Sequence, residues 1–317
     1  MRAYVVNRPQ DVPAFVTLEE ELDESFLGDD GVAVDVAFTS INYKDALAIT
    51  GKPGIIRAQR LIPGIDLVGT DASGERVLVN GCGIGETHNG GLAQRARVQP
   101  EWIVPVPQSM SLQQAAAIGT AGYTAMLAVL ALERAGVGGD ILVTGAAGGL
   151  GSIAVALLAA RGHRVTASTG RPAEHDYLRS LGATDIIDRA ELSDPGKPLQ
   201  SERWDGAIDS VGGVSLANVI SQVRYGGTVA ACGMASSTEL PVSVLPFILR
   251  SVTLAGINSV YTPRELRLEA WEKLGTELDL ALLDSMTSVE PFDRAIEVGE
   301  QVLAGSVRGR TVIDVQN

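Results

Sequence analysis

Ile141-Leu142-Val143-Thr144-Gly145-Ala146-Ala147-Gly148-Gly149-Leu150-Gly151, followed by the small apolar run Ser152 to Ala160, reads as a strand, a glycine turn and a helix in immediate succession. The glycines have separate tasks. Gly148 and Gly149 let the backbone approach a pyrophosphate, and Gly151 removes a side chain where the helix must lie close to the strand. The helix amino terminus then offers unpaired N–H groups and a positive dipole end to phosphates. Ala146 stands at the first glycine position, so the run is G-A-A-G-G-L-G, a looser form of the dinucleotide fingerprint. A glycine cluster alone is also compatible with a simple turn; the flanking strand and helix favour a cofactor loop over Ala147 to Leu150.

The next strand selects the dinucleotide. Gly162 ends the helix, and Arg164-Val165-Thr166-Ala167-Ser168 reads as the second parallel strand of a βαβ unit. A site for NADH places Asp or Glu at its end, to accept from the ribose hydroxyl. Here the strand runs into Ser168-Thr169-Gly170-Arg171. Two hydroxyls and a guanidinium suit a ribose phosphate, which a carboxylate would repel, so the expected cofactor is NADPH. The competing reading makes Arg171 a solvated residue at the start of the next helix, whose Pro172 fits a first turn and whose Tyr177, Leu178 and Leu181 lead to Gly182.

Around this core the chain alternates in two styles. Short β-branched runs separated by turn signals occupy the first third: Ala3 to Val6, Val32 to Phe38, Arg76 to Val79, Ala93 to Val98 and Trp102 to Val106. From Leu112 to Arg134 the spacing is helical. Strands and helices then alternate through Ile141, Val165, Asp185-Ile186-Ile187, Ala207-Ile208-Asp209 and Thr228 to Ala231, closing with Val252 to Ile257, which argues a parallel sheet covered by helices. The tail, with helices at Arg264 to Leu278 and Pro291 to Leu303 and strands near Ser288 and from Thr311 to Val315, is expected to rejoin the first domain. The fold class is therefore α/β, with a β-rich catalytic domain over 1–112 and 259–317 and a Rossmann-type doubly wound domain over 113–258; the substrate is expected to meet the cofactor in the cleft between them.

Composition narrows the partners. With 317 residues and 45% hydrophobic content the chain can bury a full core. Its net charge of −13 argues against nucleic acid, whose binding needs many cations. The sequence shows no basic apolar leader and no uninterrupted apolar stretch of about 18 residues, so the expectation is a cytoplasmic enzyme with no membrane span. Two cysteines far apart make neither a disulfide framework nor a thiolate metal cluster.

Together with the glycine turn, several blocks carry a resemblance: Ser40-Ile41-Asn42-Tyr43-Lys44-Asp45-Ala46-Leu47-Ala48-Ile49-Thr50-Gly51, Ile62-Pro63-Gly64-Ile65-Asp66, Gly81-Cys82-Gly83-Ile84-Gly85-Glu86-Thr87-His88, Ile118-Gly119-Thr120-Ala121-Gly122-Tyr123-Thr124-Ala125-Met126 and Pro246-Phe247-Ile248-Leu249-Arg250. They span nearly the whole chain, which resembles the zinc-free medium-chain dehydrogenase/reductases, and within them the acrylyl-CoA reductase group, long labelled quinone oxidoreductases. The resemblance implies a GroES-like first domain, a homodimer paired through the edge strand Val252 to Ile257, and a CoA thioester substrate. Zinc-dependent relatives ligate their metal with a Cys after the second strand, a His in a Pro-Gly-His-Glu turn and a further Cys. Here those first two places read Asn42 and Pro63-Gly64-Ile65-Asp66, and an isoleucine cannot ligate a metal. No metal is expected; His88 beside Cys82 reads either as a holder of a stray ion or as a hydrogen-bonded turn residue.

The resemblance also implies the chemistry. Hydride goes to the terminal carbon of the unsaturated thioester, charge develops on the thioester oxygen, and the α-carbon takes a proton. Tyr43 is the first catalytic candidate, as proton donor or as a hydrogen bond to the cofactor; alternatively it packs with its hydroxyl satisfied by backbone. Asn42 could orient the cofactor through its amide, and Asp45 could act at the site or else fix the loop or pair Lys44. Thr124 is expected at the nicotinamide phosphate or ribose, Arg189 over the adenine, and Cys232, Gly233, Ile257 and Ser259 along the nicotinamide, with Cys232 as packing rather than nucleophile. Arg310 reads either as a cation near the cofactor or as a solvated strand start. Arg57 and Arg60 are candidates for the CoA phosphates, or else members of a charged surface loop. Two other functions fit the same residues: an NADPH:quinone or enone reductase, and a non-catalytic NADPH-binding protein.

Overall fold

The computed structural model describes residues 1–10, 12–52 and 54–317, and the chain divides into two compact units. The first comprises Met1–Thr120, Val260–Gly275 and Leu283–Asn317. Its main sheet has seven strands, ordered Thr287–Pro291, Arg310–Asp314, Val32–Ser40, Asp66–Asp71, Arg76–Asn80 and Val104–Pro105, with Arg95–Val98 also pairing on Val32–Ser40. The closing strand of the chain lies antiparallel to the early one, Val312 opposite Ser40. Alternation along these strands sends Val34, Val36, Leu67, Val77, Val79 and Ile313 into one core with Phe292 and Val298. Each such side chain contributes roughly 1.5–3 kcal/mol of burial. A smaller antiparallel sheet joins Phe15–Glu19, Ala3–Asn7 and Arg60–Leu61.

The second unit, Ala121–Ser259 with Thr276–Leu282, holds a fully parallel sheet of six strands. Their order is Ala183–Asp188, Arg164–Thr169, Asp140–Val143, Trp204–Asp209, Val223–Ala231, Thr253–Gly256. Numbered along the chain this is 3-2-1-4-5-6, which puts the reversal of direction, and so the ligand crevice, between Asp140–Val143 and Trp204–Asp209. Helix Gly149–Ala160 buries Gly151 through Leu158 without a break, so it is apolar all round and serves as a core helix.

Several expectations need correction. The run from Leu112 to Arg134 is one helix only in outline, because Gly119 adopts φ 46 and ψ −155 and breaks it. That run, though interrupted by Gly, Thr and Tyr, is by length and mean hydropathy apolar enough to cross a membrane, but 83% of its most apolar window is buried within the fold, as in a core helix. The helix expected from Pro291 resolves into the end of a strand, a 3-10 turn Phe292–Arg294 and the helix Ala295–Leu303. The helix after Pro172 likewise begins as a 3-10 turn, Pro172–Glu174, before His175–Ser180. Pro at the first position supplies a fixed φ that suits such a tight opening turn.

Candidate functional site

In the second unit, the candidate nucleotide residues gather along the carboxyl edge of the parallel sheet. The glycine turn is pinned by Ala146 N–H to Ser168 O (3.2 Å) and Gly148 N–H to Gly145 O (3.0 Å). A Cβ on Gly151 would meet Gly145 O at 2.3 Å and Ala146 Cα at 2.6 Å, so this position admits only hydrogen. A Cβ on Gly148 would meet only Gly145 O, at 3.3 Å, which leaves its outer face open. Gly148 opens the helix Gly149–Ala160 with no side-chain cap, so the N–H groups of Gly149 and Leu150 are presented there to a ligand.

At the end of the second strand Ser168 and Thr169 are buried, and the Thr169 hydroxyl accepts from Arg171 N–H at 3.2 Å. Arg171 does not swing into solvent. Its Nη2 donates to Ala147 O in the glycine turn at 3.3 Å, and Nη1 lies 3.8 Å from Glu174. Arg189 runs across Gly170, where an added Cβ would fall 2.3 Å from its Nε. Two guanidinium groups thus flank the Ser168–Thr169 strand end. Cys232 N–H donates to Asp209 O at 2.7 Å and Ile257 N–H to Ala231 O at 2.9 Å, so these two candidates, with Gly233, lie at neighbouring strand ends. Burial pushes the Cys232 thiol far above the usual range, with the Asp209 charge adding to it, which favours the protonated thiol. Thr124 is buried on its helix, and Ser259 ends the unit's first segment.

The sequence reading passed over Asp209. It is fully buried at the crevice, accepts from Thr144 Oγ1 (2.6 Å) and Gly212 N–H (2.8 Å), and its burial raises its pKa. Ser210 N–H in turn reaches Thr144 Oγ1 at 3.1 Å. These bonds tie the two strands that flank the switch point. The only sequence signal was an acidic residue ending an apolar strand.

In the first unit a second cluster forms around Asp66. Its Oδ1 accepts from Thr120 N–H and Thr120 Oγ1, both at 2.7 Å; its Oδ2 accepts from Ser40 Oγ at 2.5 Å and Asn42 Nδ2 at 2.7 Å. Arg310 lies 3.8 Å from that Oδ2 and donates to Ser40 Oγ (2.7 Å), Asn42 Oδ1 (3.1 Å) and Ala117 O (2.5 Å). At 3% exposure Arg310 is not a solvated strand start, and burial lowers its pKa against the raising influence of Asp66 and Asp45. Asn42 spends both amide hydrogens inside this cluster, on Asp66 and on Asp45 Oδ2 (3.0 Å), so it has none left to orient a cofactor.

Asp45 is not paired with Lys44, whose Nζ lies 2.8 Å from Glu86 Oε1. Asp45 instead accepts from Asn42 N–H (2.9 Å) and Ile65 N–H (2.8 Å), and fixes the start of the helix Tyr43–Ile49. Burial first, and then the Asp66 charge, push its pKa up to about 7, against the pull of those hydrogen bonds. Tyr43, the first residue of that helix, is 46% exposed, and its hydroxyl makes no hydrogen bond to the described residues. The alternative of a packed tyrosine satisfied by backbone is thereby set aside.

The remaining candidates lie elsewhere. Arg60 is taken up by Asn7 Oδ1 (3.0 Å), Glu19 (3.9 Å) and the Phe26 ring (5.2 Å), the surface-loop alternative. Arg57 is exposed, with its backbone N–H on Glu86 O at 3.0 Å. His88 bonds Thr87 Oγ1 at 3.0 Å and sits edge-on to Trp102, as a turn residue would.

Comparison with known proteins places this geometry. A family model described as zinc-binding dehydrogenase matches residues 149–275. The chain is 47% identical, over 93% of its length and 94% of the relative's, to a protein named probable acrylyl-CoA reductase AcuI from Escherichia coli. It is 46% identical to acrylyl-CoA reductase AcuI of Ruegeria pomeroyi, covering 90% of each chain. Among solved structures, the yhdH oxidoreductase of Salmonella enterica in complex with NADP superposes with a TM-score of 0.95 at 45% identity, covering 99% of each chain. The metal in the family model's description does not fit this donor set. Ile65 is an aliphatic side chain, the Asn42 amide is committed, and a guanidinium already serves the Asp66 carboxylate.

Proposed function

Because the chain belongs to the medium-chain dehydrogenase/reductases, in the zinc-free branch that holds the acrylyl-CoA reductases, we propose that it is an NADPH-dependent acrylyl-CoA reductase. The observation that carries this reading is the 46–47% identity, over at least 90% of the chain, to proteins named acrylyl-CoA reductase and probable acrylyl-CoA reductase. NADPH supplies the hydride. The rest is the work of the chain's own residues.

The open face of Gly148 and the uncapped helix start hold the pyrophosphate, while Arg171, Ser168 and Thr169 take the ribose phosphate, and Gly170 and Arg189 form the rim beside it. Thr124, Cys232, Gly233, Ile257 and Ser259 are assigned to the nicotinamide half. Hydride addition at the β-carbon would break the π component of the carbon–carbon double bond and move that electron pair, through the α-carbon, toward the thioester oxygen. The Tyr43 hydroxyl would donate a hydrogen bond to that oxygen and stabilise the enolate until the α-carbon takes up a proton from solvent water. Asp45 and Asn42 hold the helix that presents Tyr43, and Arg310 balances the buried carboxylate beside them. Arg57 is assigned to the CoA phosphates; Arg60, already engaged, is not.

A homodimer completes the proposal. The outer edge of the strand Thr253–Gly256 is unpaired among the described residues, and Val244, Ile248 and Leu249 on the preceding helical segment are 65%, 67% and 57% exposed. We assign the enzyme to the cytoplasm, in keeping with its two free cysteines. The deciding experiment is turnover of NADPH, followed by nicotinamide absorbance, with acrylyl-CoA, a free enone and a benzoquinone at equal concentration. A preference for acrylyl-CoA is expected. Faster quinone turnover would return the chain to a quinone reductase, and tight NADPH binding with no acceptor would make it a binding protein.

A further inference from the structure

We propose that Asp66 is a positioning residue for Tyr43: its buried carboxylate, balanced by Arg310, fixes the Asn42 side chain and through it the start of the helix that presents the tyrosine. The inference rests on the reading of Tyr43 as hydrogen-bond donor to the thioester oxygen. Asp66 is 1% exposed, and a buried ion pair is by itself a poor way to stabilise a domain, so its hydrogen bonds to the neighbouring elements matter more than its charge pairing.

The geometry is selective for a carboxylate. Four donor contacts converge on Asp66, two on each oxygen, from Thr120, Ser40 and Asn42. An amide would turn two donors toward those donors, while a carboxylate accepts all four. The chain also makes room for it. Gly119 breaks its helix with φ 46, and a Cβ there would fall 2.4 Å from Asp66 Oδ2. The break delivers Thr120 N–H to the carboxylate as though to a helix cap.

From Asp66 the connection to Tyr43 is one residue long. Asn42 is the N-cap of a seven-residue helix, with Tyr43 as its first residue. Its amide is gripped by Asp66, Asp45 and Arg310 together, while its backbone N–H is held by Asp45. The cap fixes the backbone of Tyr43 and so the direction in which its side chain leaves the helix. A displacement of about 1 Å in such a group costs up to about 100-fold in rate.

The test is a set of double-mutant cycles on the full-length enzyme: Asp66→Asn, Asn42→Ala and Tyr43→Phe, alone and in pairs. For each, kcat with acrylyl-CoA, the NADPH Kd by fluorescence titration and the thermal midpoint are measured. Asp66→Asn and Asn42→Ala are each expected to lower kcat by about 10-fold with NADPH Kd changed less than about 2-fold. In the Tyr43→Phe background the same changes should cost no more than about 2-fold, because the group they position is gone. Equal losses in both backgrounds, or a loss matched by weaker NADPH binding, would overturn the proposal. If Tyr43→Phe keeps full kcat, the catalytic reading of Tyr43 falls and takes this inference with it; if Tyr43→Phe is impaired and the losses add, only the positioning role falls. Should Asp66→Asn fail to fold, Asn42→Ala decides, since it leaves the Asp66 contacts to Thr120, Ser40 and Arg310 in place.

Discussion

Replacing Arg171 with Gln should change which nicotinamide dinucleotide the enzyme uses while leaving its fold intact. In the protein the guanidinium is held over the glycine turn by the bond from Nη2 to Ala147 O at 3.3 Å, and its side chain is 30% exposed beside the strand end. A phosphate on the adenine ribose would accept charge-assisted hydrogen bonds from it, which Gln cannot supply with charge. Hydrogen bonds to charged groups contribute about 1.5–3 kcal/mol net, equivalent to about 10- to 150-fold in kcat/KM. Arg189 remains beside Gly170 and retains part of the charge, so the expected loss is about 10- to 30-fold. NADH lacks the phosphate and should lose less than about 2-fold. The assay is kcat/KM for NADPH and NADH at saturating acrylyl-CoA, repeated at raised salt, where the NADPH advantage of the unaltered enzyme should shrink. Equal losses for both dinucleotides would mean that Arg171 merely holds the turn through Ala147, and the argument for phosphate recognition would fail.

Arg57→Ala should raise KM for acrylyl-CoA by about 3- to 10-fold and leave a small free enone unaffected; an unchanged KM removes Arg57 from the CoA site. Gly119→Ala should lower the thermal midpoint, since a left-handed backbone costs about 1 kcal/mol or more for a side-chain residue and the new Cβ meets Asp66 Oδ2 at 2.4 Å; an unchanged midpoint would refute the need for the break. Cys232 should resist alkylation in the native protein at mildly alkaline pH, because burial holds its thiol protonated; rapid labelling seen by mass spectrometry would contradict that. Asp45 has a folded pKa of about 7, above its unfolded value, so the folded state binds its proton more tightly. Its stabilising contribution is present in full below the unfolded pKa and is lost as pH rises through about 7. Denaturant midpoints should therefore fall less steeply between pH 5 and 8 in Asp45→Asn, and an unchanged slope would refute the assignment.

The parallel sheet was legible because its signals are local. Strand, glycine turn and helix follow one another within Ile141 to Ala160, and the place where Asp or Glu would read a ribose hydroxyl carries Ser168 to Arg171 instead. The Asp66 cluster was not legible in the same way. Ser40, Asp66, Thr120 and Arg310 come from four separate parts of the chain, and Arg310 reads in sequence as a cation near the cofactor or as a solvated strand start, neither of which points to the Ser40 and Ala117 it bonds. The helix Tyr43–Ile49 spans too few turns for periodicity to declare itself. The break at Gly119 was hidden for the opposite reason, since the helical spacing continues on both sides of it.

That contrast has a physical origin. A phosphate-binding turn is built from backbone N–H groups, so the sequence has to specify only where side chains must be missing, and glycine records that directly. A buried carboxylate needs donors from wherever the fold can bring them, and each donor residue has an unremarkable role when read alone. Asp66 shows the consequence. Its position follows Ile65 in a turn whose relatives with zinc carry a histidine, and with the metal ligand replaced, the carboxylate here is answered by a guanidinium and by hydroxyl and amide donors. The activity of such a site then depends on how firmly that network holds Asn42, which is why loss of Asp66 should be read in the rate at Tyr43 before it is read in the binding of NADPH.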